Sequence, residues 1–139
     1  MNSETISLVQ ESFKQVLPIK DQAADMFYDR LFALDPDLRK LFKPDMSEQK
    51  QALMTILATA VNNLNNLGEI LPAVQKLGQS HVDYGVKPEH YTTVGTALID
   101  TLKAAFGDQW TPKLETAWTD VYGVLASTMI EAGAARSAA

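Results

Sequence analysis

The sequence predicts an all-α fold of about seven helices, and three observations carry that expectation. Apolar residues recur three and four positions apart along nearly the whole chain, the period of a helix with one buried face. Strict apolar–polar alternation, the mark of a half-buried strand, is absent. Six prolines and seven glycines stand at intervals that fit helix ends.

Residues 3–17 read as a first helix, with Ile6, Val9 and Phe13 on one face and Pro18 after its end. A second covers 20–34 and carries Ala24, Phe27, Tyr28, Leu31 and Phe32. In DPDLRKLF, Asp35 is a good N-cap, and Pro36 suits a first helical position, where its missing N–H has no helical partner to lose. A short helix over 36–42 is expected there. The run DMSEQKQALMTILATAVNNL begins a longer one, with Asp45 and Glu48 spaced as in a capping box. Asn62, Asn63, Asn65, Asn66 and Gly68 close it. Pro72 reads as the opening of a helix that contains Val74, Leu77 and His81 and ends at Gly85. Pro88 opens a long one to about Phe106, with Gly107 as its stop. Thr111 and Pro112 start the last, in which Leu114, Trp118, Val121, Tyr122, Leu125 and Met129 keep helical spacing. The small-residue tail, 131–139, is expected to fray. With no repeat and no linker, 1–139 reads as a single domain.

The bulk numbers narrow the function. A chain of 139 residues can bury a sizeable core, and 46% apolar with 21% charged residues is an ordinary globular balance. A net charge of −5 argues against a nucleic-acid partner. Zero cysteines remove disulfides, thiolate zinc sites, iron–sulfur clusters and covalent haem attachment through C-x-x-C-H. The start, MNSETIS, is not basic then apolar as a signal peptide is, and the longest apolar run is too short for a membrane span. A cytoplasmic protein with no membrane partner is expected.

Without cysteine, transition-metal chemistry rests on the two histidines of LGQSHVDYGVKPEHY, His81 and His90. Val74, Leu77, His81 and Tyr84 follow spacings of three, four and three, so His81 points with an apolar stripe. Spacing alone leaves two readings. The commoner is a core histidine with its ring nitrogens hydrogen-bonded; the sharper is an axial ligand to haem iron held in an apolar cleft. His90, in the first turn after Pro88, reads as solvated. Taken singly, Phe42 reads as a core aromatic, Tyr28 as an amphipathic boundary residue and Gln49 as a surface residue. Met54 and Trp118 read as core.

The segments FYDRLF, DPDLRKLF, LGQSHVDYGV, EHYTTVG and AWTDVYGVLA change that balance. In order and spacing, over nearly the whole chain, they resemble bacterial single-domain haemoglobins and the globin domain of flavohaemoglobins. The resemblance implies a globin fold packed around a non-covalent haem b with its iron. It implies His81 as the axial ligand of that iron, Phe42 as the aromatic wedged against the haem face and Tyr28 as the distal tyrosine. It places Gln49 on the distal helix facing the iron, with Leu53 one turn on. A shift of one residue in the corner would put Glu48 there instead; Gln49 is preferred because Gln49, Leu53, Ile56 and Ala60 then share one face. Val86, Tyr91, Val94 and Leu98 match residues lining the proximal and inner pocket.

The function implied is binding of oxygen for transport or storage, and of carbon monoxide and nitric oxide. Tyr28 and Gln49 would offer O–H and N–H donors where negative charge develops on oxygen. The alternative is nitric oxide dioxygenation with a separate reductase, since no G-x-G-x-x-G segment for flavin or nicotinamide is present. A third reading is a non-haem globin-like sensor or interaction domain. Two positions depart from the flavohaemoglobin pattern. Ser80 stands where a lysine precedes the proximal histidine, and Glu131, the nearest acidic residue to polarise His81 together with Tyr91, comes two residues early relative to Tyr122. Lys43, Lys50 and Lys87 are loose candidates for the haem propionates. No second histidine serves the opposite haem face, so a five-coordinate ferrous site is expected.

Overall fold

A helix with one apolar face needs a partner for it, and the described residues find theirs by packing as six α-helices. The computed structural model describes residues 2–138, with side chains described as far as Ala134. The helices are α1 (Ser3–Val16), α2 (Lys20–Leu34), α3 (Ser47–Asn62), α4 (Leu67–Asp83), α5 (Pro88–Phe106) and α6 (Pro112–Ala138). Short 3-10 turns at Leu17–Ile19, Pro36–Leu41, Leu64–Asn66 and Gly107–Gln109 join them, and no strand occurs among the described residues. The all-α expectation holds. α6 runs on to Ala138 through the tail expected to fray, while Ala139 and the side chains of 135–138 lie outside what is described.

Several expected boundaries are corrected. The seventh helix, over 36–42, is the 3-10 turn Pro36–Leu41. Its start is held by Asp35 itself, whose side chain accepts from the Asp37 N–H while its carbonyl accepts from Leu38, a pattern too tight for an α turn. The Asp45–Glu48 capping box does not form. Asp45 Oδ1 instead accepts the Ser47 N–H at 2.9 Å and the Ser47 hydroxyl at 2.7 Å, one residue before the expected register. Pro72 lies inside α4, which begins at Leu67. Its missing N–H leaves the Gly68 carbonyl without that helical donor, and both residues are exposed, where solvent can reach them. Gly68, expected to help close α3, instead lies in the first turn of α4, while Gly85 ends α4 at φ 91° and Gly107 ends α5 at φ 56° as expected, both in the region that favours glycine.

Packing places the core between α1, α2, α5 and α6. Val9, Phe13, Phe27, Leu31, Leu102, Trp118 and Val121 are buried there. Trp118 donates its ring N–H to Ser12 Oγ at 2.9 Å, so α6 and α1 share a satisfied buried polar contact. α2 packs on α5 and α4 on α6, while α3 leans on α2 and α1. Among the described residues, α3, α4 and α5 are not closely packed on one another. Leu53 and Leu57 on α3 and Val94 on α5 consequently stay half-buried, although each touches the core.

Candidate functional site

On α2, Tyr28 is buried, at 4% exposure, in an aromatic cluster. Its ring centre lies 4.9 Å from that of Phe27, 6.0 Å from Phe32 and 5.6 Å from Phe42, and Phe32 and Phe42 are 5.5 Å apart. Gln49, in the first turn of α3, donates its side-chain N–H to the Tyr28 hydroxyl oxygen at 3.0 Å. That bond occupies an oxygen lone pair and leaves the phenol O–H free to donate elsewhere. Burial pushes the Tyr28 phenol above its ordinary value, with the Gln49 bond opposing, so the group remains a neutral donor. Glu48 is exposed. Gln49 and Tyr28 thus come together, with Phe42 beside them.

On α4, His81 sits half-buried in the last turn. Its Nδ1 is 2.7 Å from the Leu77 carbonyl oxygen, a contact that requires the proton on Nδ1 and leaves the Nε2 lone pair available. Burial lowers the His81 pKa, the Leu77 bond partly opposing, which favours the neutral imidazole a metal requires. The Tyr91 ring lies 6.3 Å from the His81 ring. Tyr91 is fixed from behind, because Tyr122 donates its hydroxyl to the Tyr91 carbonyl at 2.6 Å. Val86 and Val94 are half-buried and Leu98 is buried.

His90 is engaged elsewhere. Its Nδ1 accepts the Lys87 N–H at 2.9 Å at the start of α5, a helix cap rather than a solvated ring. Tyr84 leaves the apolar stripe it was assigned to and is 67% exposed, because α4 ends at Asp83 and the helical period ends with it. Glu131 is exposed, and the partner of His81 Nδ1 is the Leu77 carbonyl, so polarisation by Glu131 gains no support. Lys50, a candidate for the haem propionates, is paired with Asp25 at 2.8 Å.

Sequence reasoning missed two features beside these residues. α4 crosses α6 so closely that a Cβ on Gly78 would lie 2.6 Å from the Met129 Cα, and one on Gly133 would lie 2.7 Å from Val82 Cγ2. Arg39 reaches three backbone carbonyls of the corner before α3. Two glycines on separate helices carry no local signal of contact; an arginine inside a short turn could have been asked which carbonyls it serves.

The donor set fits a haem held by one axial histidine. It consists of one neutral imidazole with a free ring nitrogen, apolar side chains on three helices that are not closely packed on each other, and a phenol–amide pair on α2 and α3. No cluster of three or more His, Cys, Asp or Glu suited to a bare metal ion occurs among the described residues.

A model of the globin family matches residues 25–129. The flavohemoprotein of Bacillus subtilis is 34% identical over 134 residues, covering 94% of this chain and 33% of the relative, so the chain spans about a third of the length of the curated relatives it matches. Among solved structures, a bacterial globin from Campylobacter jejuni superposes with a TM-score of 0.88 at 25% identity, covering 99% of this chain and all of the other. An engineered carbene transferase from Rhodothermus marinus, assigned as a nitric oxide dioxygenase, gives 0.90 at 25% identity, covering 99% and 96%.

Proposed function

We propose a function from one premise: the chain belongs to the globin family. It is therefore a haem b protein, holding the group without a covalent link, and it binds oxygen and other diatomic ligands. The residues that do so are our assignment. Haem iron, when bound, supplies reversible coordination of the gas. His81 is the axial ligand, because its Nε2 is free while His90 Nδ1 is committed to capping α5. Phe42, Leu53, Val86, Tyr91, Val94 and Leu98 form the apolar surround.

The observation that carries the assignment is the Gln49–Tyr28 bond. The amide orients the phenol and the phenol keeps its proton, so Tyr28 offers an O–H to a ligand that gathers negative charge. Gln49 therefore acts chiefly through Tyr28. Carbon monoxide gathers less charge than oxygen, and removing the donor separates the two gases. Tyr28→Phe keeps the ring among Phe27, Phe32 and Phe42 and deletes only the O–H. A lost hydrogen bond of about 1–3 kcal/mol corresponds to roughly tenfold or more in oxygen dissociation, with a much smaller change for carbon monoxide. Stopped-flow rates that move equally for both gases would remove Tyr28 from the ligand's surroundings.

A second reading, nitric oxide dioxygenation with a separate reductase, draws on the flavohemoprotein relatives and the Rhodothermus marinus neighbour. Against it stands the His81 Nδ1 partner: a neutral carbonyl makes the imidazole a weaker electron donor than a carboxylate would. Oxygen binding is the reading we favour. Nitric oxide consumption by the reduced protein with an added reductase tests the alternative, and sustained turnover at substrate excess would favour the enzyme. A cytoplasmic site of action belongs to the same proposal; among the described residues no helix is long and apolar enough to cross a membrane.

A further inference from the structure

Between Leu41 and Met46 the chain is irregular, so the carbonyls of Phe42, Lys43 and Pro44 have no helix to satisfy them. One side chain serves three in succession. Arg39 Nη1 donates to the Phe42 oxygen at 3.3 Å and the Lys43 oxygen at 2.9 Å, and Nη2 donates to the Pro44 oxygen at 3.0 Å. The flat guanidinium also lies 5.5 Å from the centre of the Phe32 ring, which packs against Phe42 and Tyr28. Downstream, Asp45 holds Ser47, the first residue of α3, and Gln49 follows within that turn. A cavity of about 420 Å³ lies at the corner, with Tyr28, Phe32, Arg39, Met46 and Lys50 among its walls.

We propose that Arg39 is a positioning residue that latches this corner over the cavity and so fixes Phe42 and the Tyr28–Gln49 pair. The proposal rests on the distal role assigned to Tyr28. A guanidinium is well shaped for a latch, since its fork of N–H donors spans several carbonyls at once while its charge lies over the Phe32 ring. A lysine ammonium has neither the fork nor the face. Lys43 and Pro44 are exposed and Phe42 is half-buried, so two of the three carbonyls freed by losing Arg39 return to water. The loss therefore falls on the order of the corner and on what the corner covers, more than on global stability.

Arg39→Gln and Arg39→Lys test this by two readouts. Amide hydrogen exchange of the haem-free protein should quicken by about tenfold or more at 42–50 in Arg39→Gln, as expected for the loss of two or three exposed hydrogen bonds, with α1, α5 and α6 unchanged. In the haem-loaded protein, oxygen dissociation should quicken by roughly threefold to tenfold, carbon monoxide dissociation less, and Arg39→Lys should recover only part of either change. Unchanged exchange at 42–50, or equal acceleration across all helices, overturns the latch. So does faster oxygen release in Tyr28→Phe with none in Arg39→Gln. Local exchange that quickens while neither Arg39→Gln nor Tyr28→Phe alters oxygen release supports the latch and removes the distal role of Tyr28.

Discussion

Tyr28 is held by side chains, whereas His81 is held by backbone. On the α2–α3 side, an amide fixes the phenol, three phenylalanines surround its ring, and a guanidinium ties down the corner that delivers Phe42. On the α4–α6 side, a main-chain carbonyl orients the imidazole and glycines bring the helices into contact. Side-chain contacts can be deleted singly without moving a helix. Main-chain contacts cannot: the Leu77 carbonyl lies one helical turn before His81 and is present in any sequence that keeps α4. Substitution can therefore tune the surroundings of Tyr28 contact by contact, while the orientation of the His81 ring is set by the helix itself.

The largest effect expected from breaking this arrangement is at His81. In His81→Ala the axial bond is gone, and haem retention should fall by more than the roughly 10–100-fold that loss of a supporting partner alone causes. Haem transfer to an acceptor apoprotein measures it; His90→Ala should transfer haem at the parent rate, and unchanged retention in His81→Ala would sink the assignment. In the parent, the ferrous protein should be five-coordinate, and a low-spin six-coordinate ferrous spectrum without added ligand would contradict that.

Crowding the helix crossing comes next. Gly78→Ala drives a methyl into the Met129 backbone, which has no rotamer to escape by, and should destabilise by about 1–3 kcal/mol. Gly133→Ala meets the Val82 side chain first, with the Gly78 carbonyl oxygen farther off at 3.3 Å, and should cost less, with Val82→Ala restoring much of the loss. Chemical denaturation of these variants, singly and combined, checks this. Equal losses for the two glycines, or no restoration, would mean that α4 and α6 do not press together at these points.

The smallest effect sharpens the comparison through pH. Burial, with the neighbouring Tyr91 adding to it, pushes the Tyr122 phenol well above its ordinary value, and burial raises Tyr28 and Tyr91 in the same direction. A raised folded-state pKa stabilises fully below the unfolded value of about 10 and is lost as pH climbs through the folded value. Melting temperature should therefore decline above pH of about 10. Tyr122→Phe, which loses the bond to the Tyr91 carbonyl, should start lower by about 1 kcal/mol and decline less steeply. Parallel pH curves for parent and variant would show that Tyr122 does not titrate with folding.

What could be read directly from the chain was whatever depends on near neighbours. Asp35–Pro36, Pro88, Gly107 and Thr111–Pro112 mark helix ends in the structure as they do in the sequence, since a cap or a missing N–H acts within one turn. Helical period put His81 on an apolar stripe and Tyr28 on a core-facing helix, whereas the roles proposed for them came from family resemblance. The errors are local too, and instructive. Pro72 is tolerated inside α4 because Gly68 is exposed where solvent can reach it, a fact about exposure that residue type does not encode. Asp45 chose the Ser47 amide over a capping box with Glu48, since the Ser47 hydroxyl adds a second bond to the same oxygen.

By itself, then, the sequence determined an all-α chain and most of its helix ends, because helical period and capping chemistry are properties of adjacent residues. The tertiary structure decided which side chains meet. It set the Gln49 amide on a phenol 21 positions away, turned Tyr84 out to solvent and left Glu131 at the surface. It also pressed Gly78 and Gly133 into a helix crossing and aimed Arg39 at three carbonyls. Each of these depends on the angle and depth at which whole helices pack, and that geometry comes from the summed burial of Trp118, Leu31, Val9 and their neighbours, not from any short stretch of chain.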